Sequence, residues 1–580
     1  MRLTKHATRR AASLTELAMG IAVVLLLLFI GSFLRLRLDL TSEKRYTLTE
    51  ATKELVDSLK DVVYVKVYLH GDLPADLKRL GQTTRDLLDE MRVRNPGELQ
   101  YSFIDPSAGI DQETRNKVYA QLEEAGLQYS SIRTQDKGVQ QEVIAWPGAL
   151  VTYKDKTLPV QLLKAQFRNN DADMVNRSIN NLEYEITSAI RQVTQTFRPR
   201  VAFIHGHGEL GQLPTQDLAN ALAEEYDVTD VRLDGRIDAL SIKTDAGPYR
   251  ANQFEAAIVA KPDSAFSDKD QFILDQFIMN GGKLLWAVDA MDPHLDSLRA
   301  NQFSMATPLE LGLDRLLFAY GIRINKDVLV DRQCAPIPVY TRPYGNQPKL
   351  EILPFPFEPI VVPEISHPIV ANIDPVHLKF ASSIDTIATD SAASTILLTT
   401  STYSRALRNP VRVSLAVVDM DLGLDKNNTP HKPVAVLTQG RFRSAFADRL
   451  VMADSAKRAI GYREWSRPSA MLTVSDGDVM ANPTDPDKGT WFPLGYDRTA
   501  RSKVYGNREF LVNAMNYLLN DKSLISIRSR AITLHQLDPV RTAKQRAAIQ
   551  TANIVLPMLA GLLLGFGFHL LRRRRNAIRT

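Results

Sequence analysis

Residues 199–210 read PRVAFIHGHGEL, and this stretch decides the architecture of most of the chain. The apolar run at 201–204 predicts a buried strand, and the glycines after it suit a tight turn because glycine tolerates positive φ. Pro214 and the run QDLANALAEEY at 216–226 then predict an amphipathic helix. A strand, a turn and a helix in this order are typical of one unit of an α/β sheet.

The same alternation continues downstream. Apolar strands are predicted at VTDVRL (228–233), FEAAIVAKP (254–262) and GKLLWAVDA (282–290), and the helix DKDQFILDQFIMNGG (268–282) separates the last two. Continuous apolar strands between amphipathic helices indicate a parallel sheet with helices on both faces. We therefore expect a doubly wound, flavodoxin-like or amidotransferase-like domain over residues 199–535.

The pattern becomes less regular between about residues 331 and 500. Proline is frequent there (PIPVYTRP, LPFPFEPIVVP), and short strands recur, among them STILLTTS and KPVAVLTQG. This composition predicts an irregular β-rich insertion, some of whose strands return to the sheet. A helix at 508–521 is expected to close the domain.

A second α/β pattern lies upstream. Its predicted elements are a strand at 62–69, a helix at 74–94, a strand at 99–106, a helix at 111–124 and a strand at 148–153. This order predicts a thioredoxin-like α/β domain over residues 38–175, which a long helix at 176–198 connects to the doubly wound domain. Cys334 is the single cysteine, so this shape is expected without a redox dithiol.

Two long apolar segments lie near the ends of the chain. Residues 17–34 carry no charge, and residues 547–571 contain only four polar side chains. At 1.5 Å per residue, either segment can cross a hydrocarbon core of about 30 Å. We expect transmembrane helices at 17–37 and 551–571, the second after a linker at 536–550. No small-residue cleavage site follows the first segment, which favours an uncleaved anchor over a signal peptide.

The basic residues are concentrated at the two ends. Residues 1–16 carry a net charge of +3 and residues 572–580 carry +5, so the total of +5 leaves −3 for the rest. The basic tail predicts a cytoplasmic C-terminus, and two spans then predict a cytoplasmic N-terminus and an extracytoplasmic body. Because the body carries no basic excess, we expect no nucleic-acid partner.

Three predicted strands end in polar residues. In open α/β sheets, ligands bind beyond the carboxyl ends of the strands, so these residues are expected to share one edge. The candidate ligand- or partner-binding edge consists of His205, Gly206, His207, Gly208, Glu209, Asp289, Asp476 and Asp478.

The histidine loop, residues 205–209, has three interpretations. It is a structural turn, a loop that binds a ligand or partner, or a metal site, since two histidines with carboxylates can hold zinc. The one-residue spacing of His205 and His207 does not match the HExxH helix of metalloproteases. The sequence contains neither G-x-S-x-G nor G-x-x-x-x-G-K-[ST], and Cys334 lies in a proline-rich context. We therefore expect no catalytic residue, no cofactor and no nucleotide hydrolysis.

Several stretches together resemble a known family. EKRYTLTEATKELVDSL (43–59), VYVKVYLHGDLPADLKRL (63–80) and VAFIHGHGEL (201–210), with SDGDVM (475–480) and a C-terminal anchor, are similar to the auxiliary, often called substrate-binding, subunit of gliding-motility ABC transporters, the GldG family. In the family pattern, GHGE is the recognisable core and position 205 is not typically histidine, which argues against a two-histidine metal site.

The resemblance implies a non-catalytic accessory protein of the bacterial inner membrane with a periplasmic body. Its implied partners are a multi-span permease, a separate cytoplasmic ATPase and an unidentified cargo or envelope protein. Two alternatives stay open. One is an extracytoplasmic α/β enzyme, including a metal-dependent one, that uses His205 and His207; the other is a structural envelope protein.

Overall fold

The stretch that opens the doubly wound region forms β7 (Arg200–His205) and α5 (Gln212–Ala223), as predicted. The computed structural model describes residues 18–23, 25–26, 29, 47–71, 73–108, 111–136, 139–163, 171–195, 197–244, 249–301, 303–341, 349–389, 391–415, 422–424, 428–449, 460–485, 487–519 and 539–577. The chain divides into two units, Met1–Ala531 and Ile532–Thr580.

A seven-stranded sheet is the largest element of the first unit. Its strands, in spatial order, are β21 (Ala392–Thr399), β24 (Pro433–Gly440), β25 (Ser469–Val474), β12 (Lys283–Ala287), β11 (Ala256–Ala260), β7 and β8 (Asp227–Arg232). The five strands from β25 to β8 are parallel, and β24 and β21 are antiparallel additions. The chain moves outwards in opposite directions from β7 and β11, so the topological switch point lies between them.

Helices cover both faces of this sheet. On one face, Val201 and Phe203 pack in a core with side chains of α5 and α9 (Asn507–Leu519). On the other face, Ala202 and Ile204 pack with side chains of α6 (Asp268–Met279) and α8 (Asp314–Ala319). Successive residues of a strand point to opposite faces, which explains why the strands are apolar throughout. The predicted α/β class is confirmed.

The N-terminal region has its own four-stranded sheet. The strand order is β2 (Leu99–Phe103), β1 (Val63–Val67), β5 (Gly148–Tyr153) and β6 (Lys156–Gln161); β1 and β2 are parallel, and the other neighbours are antiparallel. A hairpin of β3 (Ser130–Asp136) and β4 (Val139–Ala145), which we did not predict, precedes β5. The helices are α1 (Glu50–Asp57), α2 (Ala75–Arg94), α3 (Gln112–Glu124) and α4 (Asp171–Thr194).

The region between β12 and β25 is rich in short strands. Outside the large sheet, this region and its flanks contain β9 (Ser241–Lys243), β10 (Arg250–Asn252), β13 (Met291–Asp292), β14 (Phe303–Pro308), β15 (Ile322–Ile324), β16 (Asp327–Asp331), β17 (Cys334–Thr341), β18 (Lys349–Val361), β19 (Val376–His377), β20 (Ile384–Thr386), β22 (Ser404–Arg408), β23 (Val411–Ser414), β26 (Thr484–Asp485), β27 (Thr490–Trp491), β28 (Tyr496–Asp497), β29 (Ser502–Lys503) and the short helix α7 (Leu295–Asn301). Phe355, Phe357 and Phe380 form part of a separate core there.

The described part of the second unit is one long helix, α10 (Pro539–Ala577), which contains Pro557. Among the described residues, this is the one helix long and apolar enough to cross a membrane, over Gln545–Leu570. The helix also covers most of the predicted linker at 536–550. The predicted first span at 17–37 lies largely outside the described residues; 18–23, 25–26 and 29 are helical and exposed.

Candidate functional site

The histidine loop is organised around the buried ring of His207. Its Nδ1 lies 3.0 Å from Glu209 Oε1, and its Nε2 lies 3.3 Å from Asp270 Oδ2 on α6. The imidazole stacks on Phe266, with ring centroids 3.7 Å apart. The backbone N–H of His207 donates to Glu209 Oε2 at 2.7 Å, so Glu209 closes the loop onto itself. Both ring nitrogens of His207 are therefore engaged by carboxylates.

These contacts favour a protonated ring. Burial opposes the charged imidazolium, but the hydrogen bonds and charges of Glu209 and Asp270 outweigh it and raise the pKa of His207. Burial likewise opposes ionisation of Glu209, yet the hydrogen bonds from His207 lower the pKa of that carboxyl. When the ring is protonated at both nitrogens, it holds the loop between two carboxylates and has no lone pair for a metal ion.

His205 is directed to a different neighbour. Its Nε2 lies 3.2 Å from Asp230 Oδ1 on β8, and the side chain is 21% exposed. Gly206 and Gly208 have φ of 123° and 75°, and this backbone separates the directions of the two histidine side chains. In the described part of the chain, no group of three or more His, Cys, Asp or Glu side chains is placed to hold a metal ion.

The three predicted aspartates meet around a lysine that sequence reasoning missed. Lys261, directly after β11, places its Nζ 2.5 Å from Asp478 Oδ2 and 3.6 Å from Asp289 Oδ2. Asp476 Oδ1 accepts a bond from the backbone N–H of Asp478 at 2.8 Å. We call Lys261, Asp289, Asp476 and Asp478 the lysine–aspartate cluster. It lies at the carboxyl ends of β11, β12 and β25.

Burial and mutual repulsion shift the acidity of this cluster. Asp476 is fully buried, and burial together with the charges of Asp478 and Asp289 raises the pKa of its carboxyl well above the ordinary range. Burial, against the attraction of Lys261, raises the pKa of Asp289 to about 7. Burial disfavours the Lys261 ammonium, but Asp478 and Asp289 outweigh it and raise its pKa.

Most of the predicted side chains fall into two groups of contacts, and His205, which contacts Asp230, belongs to neither. His207 and Glu209 contact Asp270, whereas Asp289 and Asp478 pair with Lys261 and Asp476 lies beside them. The loop after β11 connects the groups, because the backbone N–H groups of Asp263 and Ser264 both donate to the carbonyl of His207 at 3.0 Å. Both added residues had a sequence signal: Lys261 lies near the end of a predicted strand, and Asp270 lies in the first turn of a predicted helix.

The protein has an α/β fold, and ion pairs occupy the carboxyl edge of its large sheet. Its second unit contains an apolar helix. Residues 198–514 match the ABC transporter auxiliary family described as "ABC-type uncharacterized transport system". This match covers more than half of the chain, and the chain belongs to that family. Family membership assigns it an accessory, transport-related role. Residues 42–152 match a second family, a domain of unknown function, DUF7088.

The proteins similar to this chain include one curated relative and one solved structure. One is an uncharacterized protein of Borreliella burgdorferi, 19% identical over 326 residues; the match covers 56% of this chain and 57% of the relative. The chain thus spans little more than half the length of that relative. The other is a solved structure, "mmIFT52 N-terminal domain", 12% identical, with a TM-score of 0.30, over 55% of this chain and 96% of that one.

Proposed function

We propose that this protein is a membrane-anchored, non-catalytic accessory subunit of an ABC transporter of the gliding-motility type. The observation that carries the proposal is the family match over residues 198–514. The apolar helix at Gln545–Leu570 supports membrane attachment. The multi-span permease and the cytoplasmic ATPase are separate chains in this proposal.

The state of the candidate site supports a binding role over a catalytic one. His207 is engaged at both nitrogens, and Lys261 is paired with two carboxylates. Groups held in this way stabilise loops and are poorly placed to act as a nucleophile or a free base. We propose that the edge formed by residues 205–209 and the lysine–aspartate cluster shapes the surface that meets a partner or cargo.

We also propose a finer description of the two α/β layers. The order β2-β1-β5-β6, with one parallel pair followed by two antiparallel pairs, supports a thioredoxin-like unit. The parallel order β8-β7-β11-β12-β25 supports a flavodoxin-like unit. On this view the antiparallel strands β24 and β21 extend the second sheet.

Co-purification tests the proposed assembly. The full chain, extracted in mild detergent, is expected to carry a permease and an ATPase with it. His207→Ala is a useful companion variant. If the role is accessory, this variant is expected to lose its permease and ATPase only to the extent that it fails to fold. Recovery of the chain without either subunit, under conditions that keep a known ABC complex intact, would contradict the proposal.

Membrane topology tests the proposed location, which is the inner membrane with both termini in the cytoplasm and the body in the periplasm. Single cysteines Lys5→Cys, Phe197→Cys and Ile578→Cys are placed in a Cys334→Ser background. Phe197 is 63% exposed, so a thiol there is accessible to reagent. With an impermeant thiol reagent that reaches the periplasm, only Phe197→Cys is expected to react before the inner membrane is lysed. Labelling of either terminal cysteine in intact cells contradicts a topology with both termini in the cytoplasm.

A further inference from the structure

The lysine–aspartate cluster joins three loops of the large sheet through hydrogen-bonded backbone groups. The N–H of Gly477 donates to Asp289 Oδ1 at 2.6 Å, which ties the loop after β25 to the loop after β12. Lys261 ties both to the loop after β11. A Cβ on Gly477 would lie 2.4 Å from Lys261 Cγ, so the loops are in close contact.

The same cluster also binds the β-rich region, which lies between β12 and β25 in the chain, to the sheet. The N–H of Lys379, two residues beyond β19, donates to Asp476 Oδ2 at 2.9 Å. Ser382 N–H donates to the carbonyl of Ser475 at 3.0 Å, and Ser475 Oγ donates to the carbonyl of Ser382 at 2.5 Å. The segment 379–382 and the loop 475–478 are therefore attached by contacts that run beside the carboxylates.

The charges of this attachment do not balance when every carboxyl is ionised. Asp289, Asp476 and Asp478 then face one ammonium, that of Lys261. The β-rich region adds Glu358 and Lys379, and Glu358 is paired at 3.0 Å with His377. The carboxylate of Asp327 also contacts the attached segment, because it accepts the backbone N–H and the hydroxyl of Ser383 at 2.8 and 2.7 Å. Like charges held together in a buried site favour proton uptake, because protonation removes the repulsion.

We propose that the lysine–aspartate cluster makes the attachment of the β-rich region to the sheet depend on pH. Proton uptake by its carboxyls closes the β-rich region onto the carboxyl edge of the sheet, and proton release loosens this contact. When Asp289 and Asp476 are protonated, Lys261 keeps its contact with Asp478, and Asp289 and Asp476 still accept backbone N–H groups. In the ionised state the carboxylates repel one another across the same contacts. The attachment is thereby weaker near neutral pH than in acid.

The direction follows from the acidity of Asp289. Its pKa is raised from the ordinary range near 4 to about 7. A raised pKa means that the closed state binds the proton more tightly than the open state. The stabilisation is therefore complete below about pH 4, and it is lost as the pH rises towards and through about 7.

Hydrogen exchange of the full chain in detergent measures how often the attachment between the β-rich region and the sheet opens. The reporting amides are those of Lys379, Ser382, Gly477 and Asp478, each bonded within the attachment. After correction for the intrinsic pH dependence of exchange, their local opening is expected to increase at least about tenfold between pH 5.5 and pH 8, since each pKa unit corresponds to a factor of ten. Amides of β12 serve as the internal reference.

Two substitutions complete the experiment. Asp289→Asn, which cannot ionise, is expected to flatten the pH dependence; Asp292→Asn, in the same loop but with a side chain 42% exposed, is expected to retain it. Wild-type opening that does not change with pH after correction overturns the proposal, as does a full pH step in Asp289→Asn. If Asp289→Asn does not fold, the wild-type measurement alone decides.

Discussion

At the residue scale, Gly208 is a position where backbone conformation decides the residue type. Its φ is 75°, and a Cβ there would lie 1.6 Å from Asp263 Oδ1. The Asp263 carboxylate can rotate away, whereas the left-handed backbone cannot be relieved locally. We expect Gly208→Ala to lower the free energy of unfolding by about 1–2 kcal/mol. Chemical denaturation of the detergent-solubilised chain measures the change.

Gly211 supplies the matched control for that substitution. It lies in the same turn, but its φ is −72° and a Cβ there meets no described atom within 4 Å. Gly211→Ala is expected to change stability by less than about 0.5 kcal/mol. Equal losses in the two variants would show that the turn does not depend on the left-handed backbone at Gly208.

The raised pKa of His207 gives a prediction for the pH dependence of stability. Because its pKa is raised in the folded chain, its contribution to stability is full below about 6.5, the ordinary value, and declines as the pH rises through the folded value. The lowered pKa values of Glu209 and Asp270 leave their contributions intact above about 4.5. At pH 5.5, His207→Asn is expected to cost about 3–5 kcal/mol, because two buried carboxylates lose their cation.

Denaturation between pH 5.5 and 9 checks this prediction. The difference between wild type and His207→Asn is expected to shrink steadily over that range. His205→Asn is the control, since the partly exposed pair of His205 and Asp230 contributes less than about 1 kcal/mol. A difference that stays constant with pH would mean that folding does not shift the pKa of His207, and it would contradict this prediction.

Sequence reasoning located the candidate residues better than it located their partners. Glu209 lies two positions from His207, so proximity along the chain was enough to associate them. Asp270 reaches His207 only because α6 begins beside the loop after β11. Lys261 meets Asp478 because β25, more than two hundred residues later, lies beside β12 in the sheet. Strand order over such separations is not encoded in local hydrophobic periodicity.

At the element scale, α1 is fastened to α4 by one carboxylate. Glu183 Oε1 accepts bonds from Thr49 N, Thr49 Oγ1 and Thr52 Oγ1 at 2.7, 2.8 and 2.7 Å. Thr49 also caps the N-terminus of α1, so Glu183 fixes the cap itself. We expect Glu183→Ala to destabilise the chain by about 2 kcal/mol, since bonds to a charged acceptor are lost and donors are left unpaired.

Thermal unfolding compares this variant with Glu113→Ala. Glu113 of α3 is 81% exposed and pairs with Lys117, one turn further along α3. This contact contributes about 0.3–0.5 kcal/mol. A loss in Glu183→Ala no larger than that in Glu113→Ala would mean that the threonine contacts are replaced by solvent at no cost.

The predicted elements were most accurate where burial enforces a simple period. The helix expected at 74–94 is α2, and the strand expected at 148–153 is β5. The hairpin β3–β4 was missed because its strands, SSIRTQD and VQQEVIA, are largely polar. β6 was missed because KTLPVQ contains Pro159, which weakens a strand prediction. Such strands depend on pairing with neighbours, which a local pattern does not record.

At the scale of the whole molecule, one polar contact network joins the N-terminal region to the doubly wound region. Asn516 of α9 accepts a bond from Tyr226 at 2.6 Å and donates to Tyr184 of α4 at 3.1 Å. Gln192 of α4 donates to Glu225 at 2.9 Å. Buried bonds of this kind fix orientation, because each unpaired group would cost free energy. The two α/β layers are therefore connected by specific contacts.

The last prediction concerns α10 and rests on the proposed accessory role. Gly561 and Gly565 are spaced by four residues, and a Cβ on either meets no described atom within 4 Å. Small residues at this spacing let two membrane helices approach closely. Gly561→Leu with Gly565→Leu is therefore expected to reduce recovery of the permease severalfold, while the chain itself stays in the membrane fraction.

The matched control is Leu562→Ile with Leu563→Ile, which keeps apolarity and both glycines. Undiminished permease recovery with the leucine pair would place the contact on another face of α10 or outside it.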